Sequence, residues 1–399
     1  MTLREELGIW RGQPIEINTV NLHDIPCIET SDAEQLCSQP LVSVHMITYN
    51  HEPYIRQAIE GVMMQKTDFA FELVIGEDCS QDKTREICFE YQKKFPDKIR
   101  VLWWHENVSQ LGGNGGRVTL RCRGELIAFC EGDDYWTDPL KLQKQVDIMR
   151  KHPRVGVCFA KTRCLHQQTG RLDAPLGGCL GYVSGRSFLV ALALGMPIEE
   201  TRTTRLSSEM IRTPTAMIRT SLLHTALERF KDLFSWKLLI GDTVLWGTIA
   251  TFSDIYFLDD VVAVYRVHGG GLTSCRYQEV RFDGLIVCAN LMVSYFKLDV
   301  ATIVDCMAQG FYLAWVDRLY KEGTVDQRVK WREYVKKCPP VRNLLRKKRF
   351  ILYRLALLLR NGNGILWRLA GTVYYRLISP FFRKRQKVLL TSAVGTGAE

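Results

Sequence analysis

The 399-residue sequence contains no CxxC pair, although it holds 13 cysteines. An odd count without paired spacing argues against a disulfide framework or a structural zinc site and for a reducing compartment. The opening residues, Met1-Thr2-Leu3-Arg4-Glu5-Glu6, lack the basic start and apolar core of a secretion signal. No uncharged apolar run approaches the roughly 20 residues that span a bilayer. The longest candidates, such as Gly284 to Phe296, read as core helices. These absences lead us to expect a cytoplasmic protein. Asp and Glu are also missing from Tyr334 through Ala398, where Arg and Lys recur, so the formal net charge of +10 is concentrated near the C-terminus.

What is present is enough apolar sequence for two or three domains: 46% hydrophobic residues against 24% charged. The most informative stretch is Glu131-Gly132-Asp133-Asp134-Tyr135-Trp136, directly after the apolar run Leu126 to Cys130, which reads as a buried strand. Three acids at the end of such a strand repel one another, and burying them unpaired is costly. A hard divalent cation with phosphate oxygens as its remaining ligands resolves the conflict. A solvated acidic turn before a helix opened by Asp138-Pro139 explains the same letters.

Residues 1–40, broken by Pro14, Pro26 and Pro40, show no period. From Leu41 the pattern becomes regular. Strands are expected at Leu41–Thr48, Phe71–Ile75, Ile99–Trp104, Leu126–Cys130 and Arg154–Phe159. Helices fall between them, the first with Tyr54, Ile55, Ala58, Ile59, Val62 and Met63 on one face, the next capped by Ser80 or Asp82. Alternating strands and helices imply an α/β fold with a mostly parallel sheet flanked by helices. Ligands of such sheets bind beyond the carboxyl ends of the strands. Three polar groups fall there: Thr48-Tyr49-Asn50-His51-Glu52, Gly76 to Asp82, and Glu131 to Asp134. Together they suit a base, a ribose and a metal-bound diphosphate. The Gly-rich turn Gln110 to Arg117 does not match the GxxxxGK[ST] loop. It is either a phosphate cradle with Arg117 beside it or a plain turn.

The stretch Leu41 to about Pro139 resembles the nucleotide-binding half of a family 2 glycosyltransferase of GT-A type. The matching pieces are Val44 to Asn50, Glu77 to Thr84, and Glu131 to Pro139, and the resemblance extends to about Ser274. It implies that Asp78 hydrogen-bonds the base and that Asp133 binds a Mg²⁺ or Mn²⁺ ion bridging the donor diphosphate. Glu131 stands where an Asp is usual. Thr48, Tyr49, Asn50, Glu52, Ser80, Arg117, Glu131 and Gly132 complete the expected nucleotide-sugar site. Ser207-Ser208-Glu209 and Thr213 to Arg219 resemble the acceptor-pocket segment, so Thr213, Pro214, Thr215 and Trp136 are expected at the acceptor. Asp242 opens an apolar helix, which N-capping alone explains. The resemblance makes it the general base that takes a proton from the acceptor hydroxyl. Tyr265-Arg266-Val267-His268 before Gly269–Gly271 resembles a closing segment in which Arg266 faces the leaving diphosphate and His268 joins the metal.

The expected organisation is an N-terminal extension (1–40), a GT-A domain (41–275, with a nucleotide-sugar half at 41–160 and an acceptor half at 161–275), a helical packing region (276–340), basic amphipathic helices (341–390) and a loose tail (391–399). The basic helices suit an anionic membrane surface best, a docked hairpin slightly less well, and a nucleic acid less well again. The expected protein is an inverting transferase that uses a nucleotide sugar, UDP-linked by preference. Its expected acceptor is a glycan or lipid-linked molecule at the inner face of the membrane. A nucleotidyltransferase and an inactive nucleotide-sugar binder remain open alternatives.

Overall fold

The computed structural model describes residues 26–108, 114–175, 181–185, 187–188, 212–229 and 241–271. The chain divides into two compact units, Met1–Ile15 with Met292–Glu399, and Glu16–Leu291; all described residues lie in the second. The expectations for residues 1–25, 207–209 and 276–399, and for Gln110 to Gly113 of the Gly-rich turn, therefore fall outside the described residues.

In chain order the elements are β1 (Ile28–Thr30), β2 (Val42–Thr48), α1 (Ile55–Met63), β3 (Phe71–Glu77), α2 (Thr84–Lys94), β4 (Ile99–Trp103), α3 (Asn114–Thr119), β5 (Leu126–Phe129), β6 (Tyr135–Trp136), α4 (Lys141–Lys151), β7 (Val155–His166), β8 (Arg171–Leu172), β9 (Gly181–Val183), a 3-10 turn at Thr213–Thr215, β10 (Met217–Arg219), α5 (Thr220–Arg229), α6 (Gly241–Ala250) and β11 (Asp254–Val267). Among the described residues the strands form one sheet, ordered β1-β4-β3-β2-β5-β10-β7-β11-β6, with β8 beside β7 and β9 beside β11. β4, β3, β2 and β5 are parallel. Beyond β5 the sheet is mixed: β10 runs antiparallel to both β5 and β7, while β7 and β11 are parallel. β7 continues to His166, past the expected end at Phe159, because β11 pairs with it along that whole length.

The parallel half is apolar on both faces, as its unbroken apolar strands require. Val42, Val44 and Met46 of β2 join Leu73, Ile75, Ile99, Val101 and Ala128 on one face, covered by Ile55, Ala58, Ile59 and Val62 of α1. Val74, Leu102, Trp104 and Val118 close the other. Each fully buried aliphatic side chain contributes roughly 1.5–3 kcal/mol. This two-sided packing fixes the strand ends at Thr48, Glu77 and Phe129, from which three polar loops leave on the same edge.

Candidate active site

The first two loops are stitched together by their own side chains. Asn50 (φ +55°) and Cys79 (φ +61°) both adopt the left-handed conformation. At Asn50 a short polar side chain makes this tolerable by bonding locally: its Oδ1 accepts from Gln81 N–H at 2.7 Å. Ser80 Oγ accepts from Asn50 N–H at 3.0 Å, and Glu52 Oε2 accepts from Lys83 N–H at 3.1 Å. Neither expected cap is the N-cap of α2, which is Lys83 and makes no side-chain cap bond; Asp82, one residue before it, accepts from Thr84 N–H and from Glu52 N–H, each at 3.0 Å. Asp78 N–H donates to the Thr48 carbonyl at 3.0 Å, and the Asp78 carboxylate, 1% exposed, accepts from Val108 N–H at 2.7 Å. Arg117 is also buried; its Nε and one terminal nitrogen have no hydrogen-bond partner, and the charge of Asp78 partly offsets the fall in its pKa that burial causes. Tyr49 stands 41% exposed at the same rim.

The third loop is pinned to β2 where Gly132 N–H donates to the Ile47 carbonyl at 2.9 Å. A Cβ at Gly132 would lie 2.6 Å from Thr48 Oγ1 and 2.7 Å from Thr48 Cβ, so only glycine lets the loop approach this closely. Glu131, Asp133 and Asp134 each bring a carboxylate oxygen within 4.8 Å of the others. Burial, reinforced by the charges of Asp133 and Asp242 and offset in part by Arg212, pushes the Glu131 carboxyl up to about 8. Burial and the neighbouring acids likewise raise Asp134 well above the carboxylate range. Burial works in the same direction on Asp133, but the hydrogen bond from His268 and the fields of His51 and His268 hold it below the usual value. His268 Nε2 lies 3.0 Å from Asp133 Oδ2. Asp134 is 1% exposed and accepts Arg266 N–H on Oδ1 at 2.8 Å, while its Oδ2 finds no partner among the described residues; Thr48 Oγ1, which lies against Gly132, finds none there either. A crowd of partly protonated acids with partnerless oxygens fits a hard divalent cation.

Several expected ligand-facing residues belong instead to the frame of the site. Arg266 is 5% exposed. Its guanidinium donates to the Asp133 carbonyl and to Gln57 Oε1, and it stacks on the rings of Tyr135 (4.5 Å) and Tyr54 (5.1 Å). Its cation thus holds the acidic loop from beneath. Trp136 is 2% exposed and donates its indole N–H to the Pro214 carbonyl at 2.8 Å, so it lies in the core between the acidic loop and the Thr213–Thr215 turn. Pro214 and Thr215 are buried as well; Thr215 bonds its Oγ1 to the Arg212 carbonyl at 2.9 Å.

Thr213 is partly exposed and donates to Asp242 Oδ2 at 2.9 Å. Asp242 lies in the first turn of α6. One helical turn on, Trp246 packs edge-on against Phe129 of β5 and Phe159 of β7, with ring centroids at 5.1 and 5.7 Å. Phe129 precedes Glu131 by two residues, so this packing sets Asp242 beside the acidic loop, close enough for its charge to act on Glu131. The carboxylates of the third loop and of α6 therefore share one site, and Asp78 is tied to it through Thr48.

Three contributors have no individual role legible in the sequence. Asp134 anchors the loop to β11. Arg212 is the cation facing Glu131, and its guanidinium lies 4.3 Å from the centre of the Tyr265 ring. His51 sits 3.7 Å from Asp133 Oδ2. A basic residue directly before Thr213-Pro214 and a histidine within the first polar loop were the available signals.

Residues 43–175 match the sequence model of Glycosyl transferase family 2. The uncharacterized protein Rv1520 of Mycobacterium tuberculosis (strain H37Rv) is 33% identical over 240 residues, 60% of this chain and 62% of its own length. TuaG of Bacillus subtilis (strain 168), provisionally named a teichuronic acid biosynthesis glycosyltransferase, is 35% identical over 111 residues, 28% of this chain and 42% of its own. Among solved structures, S. aureus TarS 1–349 in complex with UDP-GlcNAc superposes with a TM-score of 0.53 at 19% identity, covering 73% of this chain and 78% of that one. That likeness extends the shared fold beyond the matched segment. No helix among the described residues is long and apolar enough to cross a membrane. Residues 43–175 thus carry the match to glycosyl transferase family 2, within a domain of GT-A-like α/β fold.

Proposed function

We propose that the chain transfers a sugar from a nucleoside-diphosphate sugar to an acceptor hydroxyl, with inversion at the anomeric carbon. The observation that carries this reading is the meeting of two acidic groups from distant parts of the chain: the Glu131–Asp134 loop and Asp242, linked by the Trp136–Pro214 and Thr213–Asp242 bonds. A displacement at a sugar needs the leaving diphosphate and the proton acceptor on opposite sides of one carbon, and these two groups supply them.

In this reading Asp78 and Arg117 take the base, Tyr49 covers it, and Thr48, Asn50, Glu52, Ser80 and Gly132 shape the floor under the ribose and diphosphate. Asp133, with His268, would hold a Mg²⁺ or Mn²⁺ ion, which would supply positive charge for the departing diphosphate. Glu131 would face the ribose or the metal site. Arg266 keeps the acidic loop in place from below. Asp242, oriented by Thr213, takes the acceptor proton as the new oxygen–carbon bond forms and the carbon–phosphate-oxygen bond breaks. Trp136, Pro214 and Thr215 form the wall behind the acceptor.

The UDP-GlcNAc complex of TarS supports a uridine donor, and the teichuronic name of TuaG supports a cell-envelope glycan as acceptor. The acid-free basic stretch from Tyr334 to Ala398 suits peripheral contact with an anionic membrane on the cytoplasmic side. The test is a panel of nucleotide sugars scored by thermal stabilisation and by metal-dependent release of nucleoside diphosphate. We expect one UDP sugar to stand out and Asp133→Ala to abolish both signals. Release of pyrophosphate, or stabilisation by no nucleotide sugar, would overturn the assignment.

A further inference from the structure

His51 has no role in the reading above, yet its environment is unusual. Its side chain is 17% exposed, and among the described residues neither ring nitrogen makes a hydrogen bond. Nε2 is aimed at Asp133 Oδ2 from 3.7 Å, beyond hydrogen-bonding distance. Nδ1 is buried without a partner, pressed toward Gly132, where a built Cβ would lie 3.1 Å away. A buried polar group left unsatisfied is costly, so such an imidazole calls for a partner.

The same carboxylate oxygen is approached by a second imidazole. His268 Nε2 is 3.0 Å from Asp133 Oδ2, and the two rings stand nearly perpendicular, at 85° with centroids 6.2 Å apart. Two donor atoms each about 2.1 Å from one cation are about 3 Å apart at a right angle and somewhat under 4 Å at a wider one. The separations at Asp133 fall in that range. Thr48 Oγ1, also partnerless, lies against the same side of Gly132 and is the acceptor that Nδ1–H of a ligating His51 would take.

We infer that His51 is a further metal ligand, and that Asp133 flanked by two imidazoles makes the site select a first-row transition cation such as Mn²⁺ or Co²⁺ over Mg²⁺. A nitrogen-bearing site binds first-row cations with affinity that rises from Mn²⁺ through Co²⁺, whereas Mg²⁺ takes oxygen almost exclusively. This inference rests on the metal site of the proposed function, but it concerns only the ligand set and its selectivity.

The test uses the full chain loaded with Mn²⁺, in the presence and absence of UDP. Pulsed electron paramagnetic resonance counts the imidazole nitrogens on the ion, and Mg²⁺ competition measures the preference. We expect two nitrogens in the wild type and one in His51→Gln. We also expect the Mn²⁺-over-Mg²⁺ preference to fall at least as far as the roughly 10–100-fold that loss of a mere supporting partner costs. A single nitrogen in the wild type, or an undiminished preference in His51→Gln, overturns the inference while leaving the site at Asp133 and His268 standing. Mn²⁺ binding that survives Asp133→Ala, or no binding in the wild type, defeats the proposed metal site and this inference together. The wild-type nitrogen count needs no variant, so it holds even if a substitution at residue 51 disturbs the loop.

Discussion

Trp136 donates its indole N–H to the carbonyl oxygen of Pro214 at 2.8 Å, and through that bond the acidic loop is joined to the turn that orients Asp242. Phenylalanine at 136 would keep most of the buried area and leave the Pro214 carbonyl without a donor. We expect Trp136→Phe to cost about 1–3 kcal/mol, a fall in Tm of about 2–4 °C per kcal/mol for a domain of this size. Thermal unfolding checks the first effect. Steady-state kinetics should show kcat falling more than donor KM changes, because the two halves of the site lose their alignment.

Asp242→Asn keeps the shape of the side chain and removes its basicity. Turnover is expected to fall by about 10²–10⁴-fold, while calorimetric affinity for the donor nucleotide stays near the wild-type value. Thr213→Val removes the hydroxyl that orients the carboxylate at 2.9 Å and should lower kcat by about tenfold through misplacement alone. Equal loss of donor affinity in Asp242→Asn would show that this carboxylate belongs to the donor side.

Gly132→Ala places a methyl 2.6 Å from Thr48 Oγ1. Overpacking of that kind costs about 1–3 kcal/mol and forces the loop outward. The stabilisation conferred by Mn²⁺ in a thermal-shift assay should therefore shrink more than the stability of the metal-free protein. A variant with unchanged response to Mn²⁺ would separate the loop's close approach to β2 from its binding role.

Lys141 is fully buried, its Nζ 2.7 Å from Gln145 Oε1 and 4.0 Å from the centre of the Trp136 ring. Burial lowers its pKa to about 7 from the ordinary lysine value. Between those two values the unfolded chain holds a proton that the folded chain lacks, so this residue opposes folding throughout that window. The penalty is greatest at pH 7 and below, and it fades as pH rises toward the unfolded value. Lys141→Met removes it. The variant should be more stable than the wild type near pH 7, and the difference should decline toward pH 10 by up to about 1.4 kcal/mol per pH unit. Urea unfolding of both proteins at pH 7, 8.5 and 10 measures the difference directly.

The parallel half of the sheet was legible in the sequence because Val42, Val44, Met46, Leu73 and Ile75 sit in unbroken apolar strands separated by helices of clear period. The mixed half was less so. β10 is only three residues long, and the pairing of β7 with β11 joins segments that local pattern cannot relate. The acids of the site were legible for a similar reason: each follows directly on a readable strand or opens a readable helix. Arg266 and Trp136 look from their letters like residues that meet a ligand. Only long-range contacts reveal that one is clamped between Tyr54 and Tyr135 and the other bonded to Pro214. His51 carries no periodic signal, and its proximity to Asp133 arises from Gly132 lying against Thr48.

The clamp at Arg266 also bears on how this protein comes apart. Its backbone holds Asp134, its guanidinium holds the Asp133 carbonyl, and it stands within a strand paired along its length with β7. The cation cradle thus has no private melting event. Heating or denaturant should erase it in the same cooperative step that dissolves the sheet, and amide exchange at Gly132 and Asp134 should report the stability of the entire domain.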